Sequence, residues 1–210
     1  MQVLFLVILI GALGAGLLAL AWMGVAQRRR RRRLARVGGR MGLKFSPADP
    51  FDLTRRYAGF VLASAGHSPR AENVLYGRYD RWALRAFDFY FEAGHGPRRL
   101  ARRYSVIAAD TDLPLPAALI WHAGDREHVP LRARGPAPRV GPWRAIAGGA
   151  FCRRLSEAFG AFAETPAHVQ TLGASVLVCS VGPCRPADLP DRIAQAAGAL
   201  AALRARGGPD

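Results

Sequence analysis

Cysteine and lysine are both scarce in this sequence. It has 3 cysteines among 210 residues, and Lys44 is its single lysine. A scaffold stapled by disulfides needs a much higher density of cysteine in a shorter chain, so that class is excluded. Hydrophobic residues make up 50% of the chain, which excludes an intrinsically disordered protein. The length fits one domain of ordinary size or two small ones.

Acidic residues are also few. The 15 Asp and Glu stand against 30 Lys and Arg, which leaves a formal net charge of +15. A charge of this sign is typical of proteins that bind nucleic acid or anionic membranes. Because almost every basic residue is arginine, a GC-rich coding bias explains part of the excess. Nucleic-acid binding is not favoured, since it needs aromatic rings exposed beside the basic residues and the aromatic residues here are predicted to be buried.

Charged residues are absent from residues 1–27, and residues 3–26 are almost continuously apolar. A helix of about 24 residues is about 36 Å long, which is enough to cross a hydrocarbon core of about 30 Å. Six arginines follow at once, and they end the span because guanidinium groups are costly in lipid. Trp22 lies where an interfacial aromatic residue is expected. The sequence therefore predicts a single transmembrane helix.

A cleaved signal peptide is the alternative, because Ala19-Leu20-Ala21 offers a small-x-small cleavage site. It is disfavoured because no basic residue precedes the apolar run, the run is longer than usual, and the arginines would have to be translocated. The positive-inside rule then predicts a single-pass protein of the cell (inner) membrane with its N-terminus outside and its C-terminal domain in the cytoplasm. We expect a transmembrane helix at 1–27, a basic juxtamembrane stalk at 28–42 that Gly42 ends, and a cytoplasmic domain at 43–210.

Two features of the N-terminal region are candidate contact sites. The arginines are predicted to bind anionic head groups, with a gain of about 1 kcal/mol each, through Arg28, Arg29, Arg30, Arg31, Arg32 and Arg33. The alternative is a topology signal with no further role. Small residues recur every four positions at Gly11, Ala15 and Ala19, which makes this side of the helix a candidate contact face for a homodimer through the span. The alternative for this face is the ordinary composition of transmembrane helices.

The remaining chain predicts an α+β fold with an antiparallel sheet packed against two or three helices. Residues 73–79 and 82–91 read as a hairpin around Asp80-Arg81, with a phenylalanine face opposite Asp88 and Tyr90. Further strands are expected at 57–63, 104–109 and 143–147, and a second hairpin around Gly173-Ala174. The prolines of residues 113–116 are expected to break regular structure. Helices are predicted from Phe151 and over 187–206.

Three short motifs stand out in this region: Asn73-Val74-Leu75-Tyr76-Gly77, Phe87-Asp88-Phe89-Tyr90 and Leu113-Pro114-Leu115-Pro116. They resemble a family of uncharacterised bacterial membrane-anchored proteins that carry an N-x-x-x-G … F-D-Y-x-Y hairpin. The resemblance covers most of residues 34–205, and Phe89 stands where the family more often has tyrosine. It implies one N-terminal span, a basic stretch and a cytoplasmic α+β domain, and it implies no activity.

Two clusters contain residue types that bind metals. His122, Asp125, Glu127 and His128 lie close together, but without helical spacing or a facial triad, so a polar surface loop is expected. Cys179 and Cys184 have no second pair beside them, so two reduced thiols are expected. We therefore predict no metal site and no cofactor.

Asp88 is the strongest candidate for chemistry. A buried carboxyl beside aromatic rings has a raised pKa, which suits a general acid, but Arg78, Arg81 and Arg85 on the same hairpin favour a structural ion pair. The sequence has no P-loop, no G-x-G-x-x-G after a strand and no G-x-S-x-G elbow. The predicted function is therefore non-catalytic: a membrane-anchored protein that presents its cytoplasmic domain to a protein or to anionic lipid. The alternative is a membrane-tethered enzyme with an acid/base site around Asp88.

Overall fold

The computed structural model describes residues 2–122, 137–146, 149–164 and 166–205. The predicted α+β fold with an antiparallel sheet is confirmed. Its helices are α1 Gln2–Arg40, α2 Leu53–Arg56, α3 Ala150–Ala158 and α4 Leu189–Ala205. Its strands are β1 Lys44–Ala48, β2 His67–Tyr79, β3 Trp82–Ala93, β4 Leu100–His122, β5 Arg139–Val140, β6 Trp143–Ile146 and β7 Ala167–Val181.

Helix α1 is continuous from the apolar N-terminal region through the arginines to the edge of the domain. Its segment Val3–Arg40 has an 18-residue window with a mean hydropathy of 2.8, none of it buried, and is long and apolar enough to cross a membrane. The helix ends at Arg40, and Gly42, whose φ is 72°, takes the C′ position predicted for it. The Leu43 amide donates to the Gly38 carbonyl at 2.8 Å, which is the wide hydrogen bond of a Schellman cap. The span and the stalk are therefore one helix.

Within the described residues the sheet has seven strands, all paired antiparallel, in the order β1-β2-β3-β4-β6-β5, with β7 paired along β4. The predicted hairpin between β2 and β3 is confirmed: Tyr79 pairs with Trp82, and Asp80 adopts the left-handed conformation with a φ of 54°. Aspartate tolerates that conformation because its short polar side chain bonds locally. Strands β3 and β4 then pair without a break over their whole common length.

The two predicted breaks in β4 and β7 prove to be bends in continuous strands. Leu115 pairs with Gly173, and the register shifts on both sides of Leu115. The bend in β7 is sharp enough to bring the two ends of the strand together: the Val181 amide at one end donates to the carbonyl of Pro166 at the other, at 3.1 Å. The predicted hairpin around Gly173-Ala174 is wrong because both halves of β7 pair with β4. The proline-containing segment and the glycine lie opposite each other, so the strands bend together and stay paired.

The predicted strand at 57–63 is also wrong. The chain there forms α2 followed by turns, with the Tyr57 amide bonded to the Leu53 carbonyl at 3.0 Å and the Phe60 amide to the Tyr57 carbonyl at 2.9 Å. Leu53, Tyr57 and Phe60 recur at helical spacing, so α2 and the turn that follows it bury all three on one side. An alternating strand would have exposed part of this set.

The sheet separates two hydrophobic clusters. One lies against the base of α1, α3 and α4, and the other lies against α2 and the turns that follow it. The alternation predicted for β3 is confirmed, because Phe87, Phe89 and Phe91 belong to the α2 cluster. The α4 residues predicted to face inward are all buried: Leu189, Ile193, Ala197, Leu200 and Leu203. The even-numbered positions of β3, which include Asp88, therefore face α1.

Candidate functional site

The junction between α1 and the domain is built around Asp88. Strand alternation directs this carboxylate away from the phenylalanines and towards the helix, where it is only 3% exposed. Arg30 of α1 binds it with both terminal nitrogens, Nη1 to Oδ2 at 2.5 Å and Nη2 to Oδ1 at 2.9 Å. The Nη2 atom also donates to the carbonyl of Cys184 at 3.2 Å. A side chain that directly follows the span is thus fixed inside the domain by a bidentate ion pair.

Asn73 completes the coordination of the carboxylate. It lies at an irregularity of β2, between Glu72 and Leu75, and adopts the left-handed conformation with a φ of 55°. This backbone geometry, which asparagine tolerates, lets its Nδ2 donate to Asp88 Oδ2 at 2.7 Å. Its Oδ1 accepts from Arg31 Nε at 3.1 Å. The Asn73 side chain therefore bridges the aspartate and a second arginine of α1.

Further charges surround this pair. Arg31 Nη2 lies 3.7 Å from Glu72 Oε2, and Arg103 Nη2 lies 3.5 Å from Asp88 Oδ2. The Arg103 guanidinium also stacks over the Tyr90 ring, at 4.6 Å from its centroid. The pKa of the Tyr90 phenol is raised, first by burial and then by the negative charge of Asp88. The junction is thus a connected network of ions and aromatic groups.

The network favours the structural role of Asp88 over the catalytic alternative. Arg30 and Asn73 bind the carboxylate directly and Arg103 lies beside it, whereas an acid/base residue needs access to its substrate. The partners expected from the same hairpin are wrong. Arg85 lies on the phenylalanine face of β3 and pairs instead with Asp110, Nη1 to Oδ2 at 2.7 Å. Alternation along the strand separates Arg85 from Asp88 by the thickness of the sheet.

The six predicted lipid-contact arginines fall into two groups. Arg30 and Arg31 are half-buried and bind the domain, as described above. The other four are exposed: Arg28, Arg29, Arg32 and Arg33. Half-buried and exposed arginines lie on different sides of α1 because successive helical residues are rotated by about 100°. Four guanidinium groups thus remain available for contacts outside the domain.

The small-residue face of α1 lies away from the domain. Gly11, Ala15 and Ala19 are exposed, and a Cβ atom added at Gly11 would meet no atom within 4 Å. Their spacing places them on one side of the helix. Dimerisation through this face stays a prediction.

The residues considered for metal binding are not brought together in the described ranges. His122 ends β4 and is half-buried, whereas residues 123–136, which include His128, lie outside the described residues. Cys179 belongs to the α2 cluster and Cys184 to the opposite one. Burial raises the pKa of the Cys184 thiol to about 11 and raises that of Cys179 as well, so both thiols stay protonated at neutral pH. Within the described part of the chain, no group of three or more His, Cys, Asp or Glu residues is arranged to hold a metal ion.

The fold and the junction define an α+β domain fused directly to a membrane-length N-terminal helix. No family model and no curated protein matches the sequence. The structure is similar to the crystal structure of the mycobacterial trehalose monomycolate transport factor A, TtfA, with a TM-score of 0.54. The similarity covers 84% of this chain and 92% of that chain, at 16% sequence identity. At this identity the likeness shows the shared fold, and the family resemblance of the three motifs stays a prediction.

Proposed function

We propose that this chain is a single-span protein of the bacterial inner membrane that holds its α+β domain against the cytoplasmic face. There the domain contacts a protein partner or anionic lipid and performs no catalysis. The observation that carries this proposal is the continuity of α1, which is fixed to the domain by Arg30 and Asp88 directly after the apolar segment. A domain fixed in this way has a defined height and orientation at the membrane.

Three further observations support this function. The apolar part of α1 is exposed and has the length and hydropathy of a membrane span. Four arginines next to it are exposed, as the positive-inside rule expects on the cytoplasmic side. TtfA, which shares the fold, is described as a transport factor, so an auxiliary role at a membrane is consistent with this architecture.

Topology is tested with reporters fused after Asp210 in bacterial cells. We expect a fluorescent protein that matures in the cytoplasm to be bright, and an alkaline phosphatase that requires an oxidising compartment to be inactive. We also expect the chain to remain in the membrane fraction after alkaline carbonate extraction. An active phosphatase fusion, or release of the chain by carbonate, would contradict the proposal.

A further inference from the structure

A groove opens on one side of the junction, between α1 and the segment that joins β7 to α4. Its volume is about 370 Å³. The helix contributes Ala26, Arg29, Arg30 and Arg33 to its lining, and the connecting segment contributes Pro183, Cys184, Arg185 and Pro186. None of the lining residues that the structure describes is acidic. The groove is therefore a concave surface of strongly positive charge.

Three of the four arginines in the groove carry uncompensated charge. Arg30 is paired with Asp88, but Arg29, Arg33 and Arg185 are exposed and form no ion pair with any residue in the described ranges. Arg29 and Arg33 are four residues apart and so share one side of the helix, and Arg185 faces them from the connecting segment. Guanidinium groups that line one groove are suited to bind the oxygens of a phosphate group.

The groove also reaches the apolar part of α1. Ala26 lies in the last turn of the uncharged segment and is three and four residues before Arg29 and Arg30, so it shares their side of the helix. One end of the groove is thus continuous with the surface that faces hydrocarbon, and the other end is basic. An amphiphile with an anionic head group fits both ends at once.

We propose that this groove binds the phosphate head group of an anionic phospholipid, whose acyl chains lie along the apolar part of α1. The inference rests on the proposed function, because the groove must lie at the membrane face. Arg185 distinguishes this site from a general attraction of the basic run to the membrane. It belongs to the domain, lies outside the arginine run and is placed in the groove only by the fold.

The test uses the full chain purified in detergent and titrated with lipid under native mass spectrometry. The probes are phosphatidylglycerol, phosphatidylcholine and inorganic phosphate. We expect phosphatidylglycerol to bind at least about five-fold more tightly than phosphatidylcholine, and inorganic phosphate to bind far more weakly than either. The R29Q/R33Q double variant and the R185Q single variant should each weaken phosphatidylglycerol binding by about five-fold or more.

The matched control is the R36Q/R40Q double variant, which removes the same charge at the same spacing from exposed positions of α1 outside both the groove and the arginine run. It should change binding by less than about two-fold. Equal binding of the two lipids, an equal effect of the two double variants, or an unchanged R185Q protein would overturn the inference. Binding of inorganic phosphate as tight as that of lipid would also overturn it and would indicate a free-anion site.

The topology reporters separate this inference from the proposed function. A phosphatase fusion that is active while lipid selectivity is intact contradicts the proposed orientation alone. A correct topology without lipid selectivity contradicts the lipid site alone.

Discussion

Arg30, in the first turn after the uncharged segment, places both terminal nitrogens on the carboxylate of Asp88, 58 residues further along the chain. Nothing in the arginine run itself marks this residue as different from its neighbours. The pair joins the membrane-length helix to the sheet.

Asp88→Asn should destabilise the domain strongly. The substitution leaves the half-buried guanidinium of Arg30 without its counter-charge, which typically costs about 3–5 kcal/mol. Urea unfolding of the detergent-solubilised chain, followed by the fluorescence of the buried Trp82 and Trp143, measures the loss. Asp112→Asn is the control, because its pair with Arg204 at 3.1 Å is exposed and should cost less than about 1 kcal/mol. Equal effects of the two substitutions would show that the junction pair is not important for stability.

Two adjacent glycines at the end of α1 should respond in opposite ways to alanine. A Cβ atom at Gly38 would lie 2.5 Å from Leu75 Cδ2 and 3.3 Å from the Leu43 carbonyl oxygen, whereas one at Gly39 meets nothing within 4 Å. We expect Gly38→Ala to cost about 1–3 kcal/mol through overpacking. Gly39→Ala should stabilise the chain by up to about 1 kcal/mol through helix propensity. Thermal melts of both variants measure the difference, and a stabilising Gly38→Ala would contradict the close packing of α1 on β2.

His168 should make the domain sensitive to mild acid. Burial lowers its pKa from 6.5 to about 4, and neither ring nitrogen has a hydrogen-bond partner among the described residues; its ring packs edge-on to Tyr104. The folded state therefore holds the neutral imidazole, whereas the unfolded chain takes up a proton below pH 6.5. The free energy of unfolding therefore has its full value above pH 6.5. It falls by about 3 kcal/mol as the pH drops to 4, because the unfolded chain binds a proton at His168 that the folded chain does not.

The measurement is the free energy of unfolding between pH 7 and pH 4 for the native chain and for His168→Leu. The difference between the two proteins should change with pH in that window, because the leucine cannot be protonated. Parallel curves would show that His168 is accessible to protons in the folded state.

Dimerisation through the span predicts a face-specific effect of bulky residues. Gly11→Ile and Ala15→Ile should abolish chemical cross-linking of the full chain in liposomes, since close helix approach needs small residues. Gly24→Ile adds the same bulk on the opposite side of the helix and should leave cross-linking unchanged. A monomeric native chain, or equal loss in all three variants, would contradict the dimer.

Residue spacing within single strands and helices was enough to predict one turn and the buried faces of two elements. The Asp80-Arg81 turn, the separation of Asp88 from the phenylalanines and the inward face of α4 all follow from the periods of strands and helices. The paired bend of β4 and β7 was not predictable in this way. The segments around Leu115 and Gly173 each look like a chain break alone, and only their pairing keeps the strands continuous.

The site was predicted in part, for a similar reason. Asp88 was recognised as unusual, but its partner Arg30 is distant in sequence, and the nearer candidate Arg85 faces the other side of the sheet. Three residues of the motifs singled out in the sequence, Asn73, Gly77 and Asp88, lie together at this junction. Asn73 and Asp88 meet in the network, and a Cβ atom at Gly77 would lie 3.1 Å from Leu43 Cδ2, so all three lie where α1 docks.

In the proposed topology, the unbroken course of α1 prevents the domain from turning independently of the membrane span. A span longer than the local hydrocarbon thickness tilts to stay immersed, and its tilt changes with the thickness of the bilayer. With no flexible joint between Gln2 and Arg40 and with Arg30 fixed to Asp88, the whole sheet rotates with the span. In the proposed topology, a change in bilayer thickness would therefore change the angle at which the domain meets the membrane surface.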